Sequence, residues 1–161
     1  MLGTSRENGY PIPKSGIIQN DPNACHGCGI CELVCSLAHD GKCGTSLSRI
    51  SILRNPLAGE FKQVTCKQCN HPECYFNCPV QAIVIEPQTG ARVINTELCI
   101  GCGTCARVCP FNDKGLVIKR NATTNKYAKC DLCTSVNLSP QCATACPWGA
   151  LEYIPAEKKV A

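Results

Sequence analysis

The sequence has no long apolar run, few aromatic residues and no cluster of basic residues. No stretch approaches the roughly 20 apolar residues needed to cross a bilayer, so we expect no direct membrane insertion. Aromatic residues make up 5% of the chain, and its formal net charge of +4 is dispersed. The densest basic stretch, KRNATTNKYAK at 119–129, is interpreted as a solvated loop. We therefore expect no nucleic-acid partner.

The sequence also lacks recognisable targeting and catalytic motifs. Its start, MLGTSRENGYPIPKSGIIQ, has no apolar signal-peptide core and no twin-arginine pair, which predicts a cytoplasmic protein. There is no phosphate-binding glycine loop, no paired carboxylates and no nucleophile with a base. We therefore predict no catalytic residue and a role other than substrate chemistry.

Cysteine, by contrast, is abundant, with 17 among 161 residues. In a reducing compartment, an odd number of cysteines with C-x-x-C spacing favours metal binding over disulfides. Sixteen of them fall into four groups and Cys43 is left over. In chain order the groups are Cys25, Cys28, Cys31 and Cys35; Cys66, Cys69, Cys74 and Cys78; Cys99, Cys102, Cys105 and Cys109; and Cys130, Cys133, Cys142 and Cys146.

The third group, CIGCGTCARVCP at 99–110, has the spacing of a 4Fe–4S motif. Three cysteines in a glycine-bearing loop can reach three corners of a cubane, and in bacterial ferredoxins the fourth cysteine, before proline, ligates the other cluster of a pair. Four groups therefore predict four 4Fe–4S clusters in two pairs. The spacing leaves open which groups share a pair of clusters. The first group could pair with the second and the third with the fourth. Alternatively, the second could pair with the third, and this pair would be nested between the first and fourth groups, which pair with each other.

Zinc is the alternative metal. Structural zinc sites use two C-x-x-C pairs, and a third cysteine followed by Cys-Pro has no rationale there. The fourth group is the loosest, because eight residues separate Cys133 from Cys142, and a zinc site would allow that insertion. Each oxidised cluster with its four thiolates carries about −2, so four clusters would change the formal charge from +4 to about −4.

A repeated pattern surrounds the groups: a short strand, the cysteine loop, a helical turn ending at the fourth cysteine, and a second strand. The segment QAIVIEPQTGARVIN at 81–95 predicts a hairpin that joins groups two and three. Further strands are predicted at RISIL, GLVIK and ALEYI. The predicted fold class is α+β, with two bacterial dicluster-ferredoxin-like (βαβ)2 modules packed together, loop-rich and nucleated by the clusters.

The motifs resemble those of one family. CKQCNHPECYFNCP at 66–79 matches C-x-x-C-x-x-P-x-C-x-x-x-C-P nearly as written. From about Asn23 to Ile154 the chain resembles the four-cluster, ferredoxin-like electron-transfer subunits of molybdenum and tungsten bis-pterin oxidoreductases. CELVCSLAHDGKCGTSLSRISI at 31–52 is similar to small subunits that accompany the tungsten aldehyde:ferredoxin oxidoreductase family, including benzoyl-CoA reductases. No extension resembles a membrane anchor.

The resemblance implies the nested pairing and hence the ligand sets. The outer pair of clusters would be held by Cys25, Cys28, Cys31 and Cys146, and by Cys130, Cys133, Cys142 and Cys35. The inner pair would be held by Cys66, Cys69, Cys74 and Cys109, and by Cys99, Cys102, Cys105 and Cys78. No cofactor other than the clusters is expected.

The same reasoning divides the chain into modules. Residues 21–60 with 116–155 would form the outer module and residues 61–115 the inner one. Residues 1–20, which have little periodicity, are predicted to be an extended arm, and residues 156–161 a tail.

The resemblance further implies a non-catalytic subunit of an anaerobic oxidoreductase complex. It would relay single electrons between a tungsten- or molybdenum-pterin catalytic subunit and a further redox protein. The alternative is a free-standing soluble polyferredoxin carrier. The charged content of only 17% favours the subunit, because carriers use charged surfaces for fast encounters. A zinc-binding structural protein is the third hypothesis.

Overall fold

The computed structural model describes residues 12–158. Helices and strands are short, as expected for an α+β protein rich in loops. The helices are α1 (Ile30–Asp40), α2 (Glu73–Phe76), α3 (Thr104–Val108) and α4 (Gln141–Thr144). The strands are β1 (Ile17–Asn20), β2 (Ser51–Asn55), β3 (Glu60–Val64), β4 (Ile83–Ile85), β5 (Arg92–Ile94), β6 (Ile118–Arg120), β7 (Tyr127–Lys129) and β8 (Leu151–Ile154).

The described strands form four antiparallel pairs: β1 with β8, β2 with β3, β4 with β5, and β6 with β7. The β4–β5 pair confirms the predicted hairpin, with Ile83 opposite Ile94. Its turn is held by the Glu86 carboxylate, which accepts hydrogen bonds from the backbone N–H groups of Gln88 and Thr89. The β6–β7 pair occupies both ends of the stretch 119–129 interpreted as a solvated loop, so that interpretation was wrong for the two strands and holds for the exposed turn at 122–125.

Proline decides where three of the four described α-helices end. Cys109 follows α3 with extended backbone angles (φ −75°, ψ 116°), because a residue before proline avoids helical geometry. α2 and α4 also end before a Cys-Pro pair, as predicted. Cys35 is followed by Ser36 instead, so α1 continues to Asp40, where Gly41 caps it at φ 64°. The predicted helical turn of group one is thus a longer helix.

The N-terminal segment packs on the rest of the chain wherever it is described. Its residues 17–20 form β1, in which Ile18 lies opposite Tyr153 of β8 and is 1% exposed. Ser15 is fully buried. Residues 17–20 of the predicted arm therefore pair with β8 along its whole length. Residues 1–11 of the arm and 159–161 of the tail lie outside the described residues.

The core is small and rich in thiols. Seven of the 18 apolar residues buried within residues 12–158 are cysteines, and the remainder are mainly isoleucine, leucine, valine and alanine. No helix in this part of the chain is long and apolar enough to cross a membrane. The stability of such a core depends on what the thiols bind.

Candidate metal centres

The second cysteine group and the end of α3 surround one cavity. Cys66 follows β3, Cys74 lies in the first turn of α2, and Cys109 follows α3, which packs against α2. With Cys69 these residues line a largely apolar cavity of about 360 Å³. Four thiols therefore face one largely apolar space.

The third group has Cys78 as its neighbour. The thiol of Cys105, in α3, lies close enough to those of Cys99, Cys78 and Cys102 to interact with them electrostatically. Burial, followed by these neighbours, raises the pKa of Cys105 to about 11. The backbone N–H of Ala82 donates to the Cys78 sulfur at 3.2 Å, which holds this thiol in place after α2.

The fourth group is joined by Cys35. α1 packs against α4 and brings Cys35 to the loop that carries Cys130 and Cys133. Burial, and then the thiols of Cys130, Cys35 and Cys133, raise the pKa of Cys142. The backbone N–H of Arg49 donates to the Cys35 sulfur at 3.2 Å.

The first group is joined by the last cysteine of the chain. One narrow pocket, closed by Trp148, is lined by Cys25, Cys28, Cys31 and Cys146. The Trp148 ring stacks on His26 at a centroid distance of 4.2 Å and is 52% exposed, so it covers the pocket from outside and is not part of the core. In each of the four sites, the first three cysteines of one group lie with the last cysteine of another, and each site takes the number of the group that supplies its first three cysteines.

The buried thiols need a cation before they can ionise. Burial raises the pKa of Cys31, Cys74 and Cys130 to about 12, from an ordinary value of 9.0. Near neutral pH such thiols stay protonated unless a metal displaces the proton. Four thiols around a largely apolar cavity, as Cys66, Cys69, Cys74 and Cys109 have, fit a 4Fe–4S cluster, which is bound by four cysteine thiolates.

The described residues contain no group of three His, Cys, Asp or Glu side chains arranged to hold a single metal ion. A cubane presents one iron to each thiolate, so its thiolates stand farther apart than the four ligands of one tetrahedral zinc.

The loop of the third group requires glycine. Gly101 and Gly103 have φ values of 73° and 75°. A Cβ on Gly103 would lie 2.8 Å from the hydroxyl oxygen of Tyr127, and a Cβ on Gly101 would overlap the carbonyl oxygen of Asn125. The loop thus packs directly against the β6–β7 hairpin, which fixes the positions of its cysteines.

Next to the fourth site lies a buried ionic network that the sequence did not reveal. Asp131 accepts a hydrogen bond from His39 at 3.0 Å and pairs with Arg49 at 2.9 Å. The His39 and Asp131 side chains are each 1% exposed. His39 stands four residues after Cys35 on α1, a spacing that places both on one helical face. The four-residue spacing of Cys35 and His39 was the feature of the sequence that could have indicated that His39 lies beside the fourth site.

The network holds each partner in its charged form. Burial alone would lower the pKa of His39, but the hydrogen bonds to Asp131 and Cys35 raise it to about 9. Burial would likewise raise the pKa of Asp131, but His39 and Arg49 lower it. The result is a fixed arrangement of charges that ties the C-terminal half of α1 to the loop of the fourth group.

Fold and sites together define an iron–sulfur protein of the ferredoxin type. Comparison with known proteins agrees: residues 57–154 match the 4Fe-4S dicluster domain family. The chain belongs to this family. The 4Fe–4S clusters predicted from the cysteine spacing are thereby confirmed as the kind of cofactor that it binds.

Two relatives are similar to this chain over most of its length. The chain is 34% identical over 170 residues to the NrfC homologue of Haemophilus influenzae, covering 95% of this chain and 72% of the relative. It is 37% identical over 125 residues to the polyferredoxin-like subunit of the aliphatic sulfonate oxidoreductase of Pyrococcus furiosus, covering 78% and 68%.

A solved structure shares the fold. The active-site complex BamBC of benzoyl coenzyme A reductase, with 1,5-dienoyl-CoA, contains a chain that matches with a TM-score of 0.53 at 23% identity. The match covers 91% of this chain and 79% of that one. These comparisons confirm the resemblance to ferredoxin-like subunits of oxidoreductases that the motifs predicted.

Proposed function

We propose that the chain is an electron-transfer subunit that relays single electrons through four 4Fe–4S clusters. Their ligands would be the four sets of thiols described above, which are those implied by the nested pairing. Each cluster, when bound, takes up or gives one electron with little rearrangement. The residues of the chain hold the clusters in order, exclude water from them and set their potentials.

The observation that carries this proposal is the continuity of the thiols from site to site. Cys142 of the fourth site interacts electrostatically with Cys31 of the first, and Cys130 interacts with Cys66 of the second. Cys74 of the second site interacts with Cys105 of the third. The sites would therefore form one row, in the order first, fourth, second and third.

The two ends of this row are the natural places for partners. At the first site, α1 exposes Ile30, Leu33 and Leu37, which lie on one helical face, and Trp148 is half exposed nearby. At the third site, Leu98 and Ile100 flank Cys99 and are 50% and 66% exposed. Exposed apolar residues beside a redox centre are typical of docking surfaces between subunits.

We further propose that one end docks on a tungsten- or molybdenum-pterin catalytic subunit and the other on an external redox protein, in an anaerobic cytoplasm. The shared fold with a chain of BamBC and the similarity to a subunit of the aliphatic sulfonate oxidoreductase support a subunit role. The outer module (21–60 with 116–155) and the inner module (61–115) would each hold two clusters.

The first test is metal analysis of the complex purified without oxygen from its native host. Four clusters require about sixteen irons per copy of this chain, and a partner cluster would add to that number. Tungsten or molybdenum in fixed ratio supports the subunit role. Sixteen irons with neither metal would instead favour the free-standing polyferredoxin, and zinc without iron would exclude both.

A substitution tests the relay itself. Cys99→Ala should remove or convert one cluster at the end of the row and interrupt electron flow to natural acceptors. Cys43→Ala is the matched control, because Cys43 is exposed and lies outside the four sites. Full turnover of the Cys99→Ala complex with natural acceptors would contradict the relay.

A further inference from the structure

Two buried cations face the second site without a carboxylate partner. Four charged residues are buried within residues 12–158 when histidine is left aside: Glu32, Arg92, Lys129 and Asp131. Glu32 pairs with Arg54, and Asp131 pairs with Arg49 and His39. Among the described residues, neither Arg92 nor Lys129 forms such an ion pair.

Backbone carbonyl groups hold Lys129 in place. Its ammonium group donates to the carbonyl oxygen of Arg92 and to that of Cys130 at 3.3 Å. The same nitrogen lies 3.5 Å from the sulfur of Cys66. Gln68 supports the arrangement, because its side chain donates to the Cys130 carbonyl oxygen at 2.8 Å and accepts from the Arg92 backbone N–H at 2.8 Å.

The Arg92 side chain lines the same cavity as Lys129. The Nη1 atom donates to the carbonyl oxygen of Gly90, whereas Nε and Nη2 are buried without a hydrogen-bond partner. Both Arg92 and Lys129 line the cavity that also holds Cys66, Cys69, Cys74 and Cys109. The two strands that carry the cations, β5 and β7, pack against each other, so the arrangement follows from the fold.

Burying an unpaired cation is costly, by several kcal/mol even after relaxation. Glu73 also lines this cavity, but its carboxylate is 47% exposed and pairs with His71. The negative charge that lies buried beside Arg92 and Lys129 is that of the thiolates. A cation in a poorly solvated site stabilises each additional negative charge beside it. Reduction of a cluster adds one negative charge, and net charge is one of the properties that set cluster potentials.

We propose that Arg92 and Lys129 raise the reduction potential of the second site above those of the other three, so that the first electron entering the row rests there. This inference rests on the proposed function. In the transfer, the donor site loses one electron and the second site gains it, with no bond or proton exchanged. One electron would then stay on the second site, in the interior of the row, while a second electron enters at one end.

The test is a redox titration at one pH, followed by electron paramagnetic resonance, on holoprotein purified without oxygen. Lys129→Met and Arg92→Gln should each lower the midpoint potential of the same cluster by 59 mV or more, a tenfold change in a one-electron equilibrium. Lys129→Arg, which keeps the charge, should shift it less.

Lys67→Met is the matched control. Lys67 follows Cys66 directly and lines the same cavity, but its side chain is exposed and therefore screened by water. A shift in this variant as large as that of Lys129→Met, or unchanged potentials in both neutral variants, would overturn the proposal.

A second measurement keeps the proposal testable if the neutral variants lose iron. Cys69→Ser alters one ligand of the second site, and the signal that it changes should belong to the cluster reduced first in the wild-type protein. If that signal belongs to a cluster reduced later, the proposal is wrong. Wild-type protein that contains fewer than four clusters would count against the proposed function, and absence of a cluster at the second site would overturn both.

Discussion

Gly59 and Gly101 show how surroundings decide the effect of a single residue. Both have left-handed backbone angles, with φ values of 67° and 73°. Nothing lies within 4 Å of a Cβ placed on Gly59, whereas a Cβ on Gly101 would overlap the carbonyl oxygen of Asn125. The sequence indicated that glycines let the cysteine loops approach a cluster, but it could not indicate that a neighbouring hairpin also excludes a side chain.

Gly101→Ala should therefore be more harmful than Gly59→Ala. Backbone strain costs roughly 1–2 kcal/mol at either position, and overpacking adds roughly 1–3 kcal/mol at Gly101. The thermal unfolding midpoint and the iron content of holoprotein purified without oxygen are the measurements. Equal midpoints and full iron content in both variants would show that the contact with Asn125 is unimportant.

At the scale of helices and strands, the sequence predicted the elements whose formation depends on neighbouring residues. Alternating apolar residues and the EPQTG turn predicted the β4–β5 hairpin, and Cys-Pro pairs predicted three helix ends. β3 and β7 were not predicted, because EFKQV and YAK carry polar residues whose burial depends on distant partners. Lys129 in β7 differs most from its expectation. Its charge indicated an exposed side chain, but β7 places this side chain beside the buried thiol of Cys66.

The continuation of α1 past Cys35 can be tested at Ser36. Its hydroxyl donates to the Leu33 carbonyl oxygen at 2.9 Å and accepts from the Gly44 N–H at 3.0 Å. Ser36→Pro should end the helix near Cys35, displace His39 from Asp131 and cost about 3 kcal/mol or more.

Ser36→Ala is the control for the lost hydroxyl. It keeps the helix and should cost about 1 kcal/mol. Thermal unfolding and far-ultraviolet circular dichroism compare the two variants. If Ser36→Pro unfolds at the same temperature as Ser36→Ala, the C-terminal half of α1 does not contribute to stability.

For the whole molecule, the thiol-rich core makes folding depend on iron. A chain whose buried apolar residues include so many cysteines has little aliphatic core to replace the clusters. Metal sites of this kind couple binding to folding. Removal of iron by a chelator should therefore abolish most of the native circular dichroism. Retention of the native spectrum after complete iron removal would contradict this expectation.

Thiol alkylation distinguishes ligation from burial in the intact molecule. Cys28, Cys43 and Cys102 are all exposed, but Cys43 alone among them lies outside the four proposed sites. With iron bound, mass spectrometry after alkylation should find label on Cys43 and not on Cys28 or Cys102. After chelation all 17 cysteines should become reactive. Label on Cys28 or Cys102 in the intact holoprotein would remove that residue from the proposed ligand sets.

The sequence by itself determined the kind of cofactor, the sixteen candidate ligands and the α+β class, because cysteine spacing and Cys-Pro pairs act over a few residues. Long-range packing decided the rest. Contacts of α1 with α4 and of α2 with α3 bring thiols together that lie far apart in the chain. The same packing buries His39 with Asp131 and sets Arg92 and Lys129 against the second site. No local pattern encodes these contacts, since each requires two distant segments to meet in space.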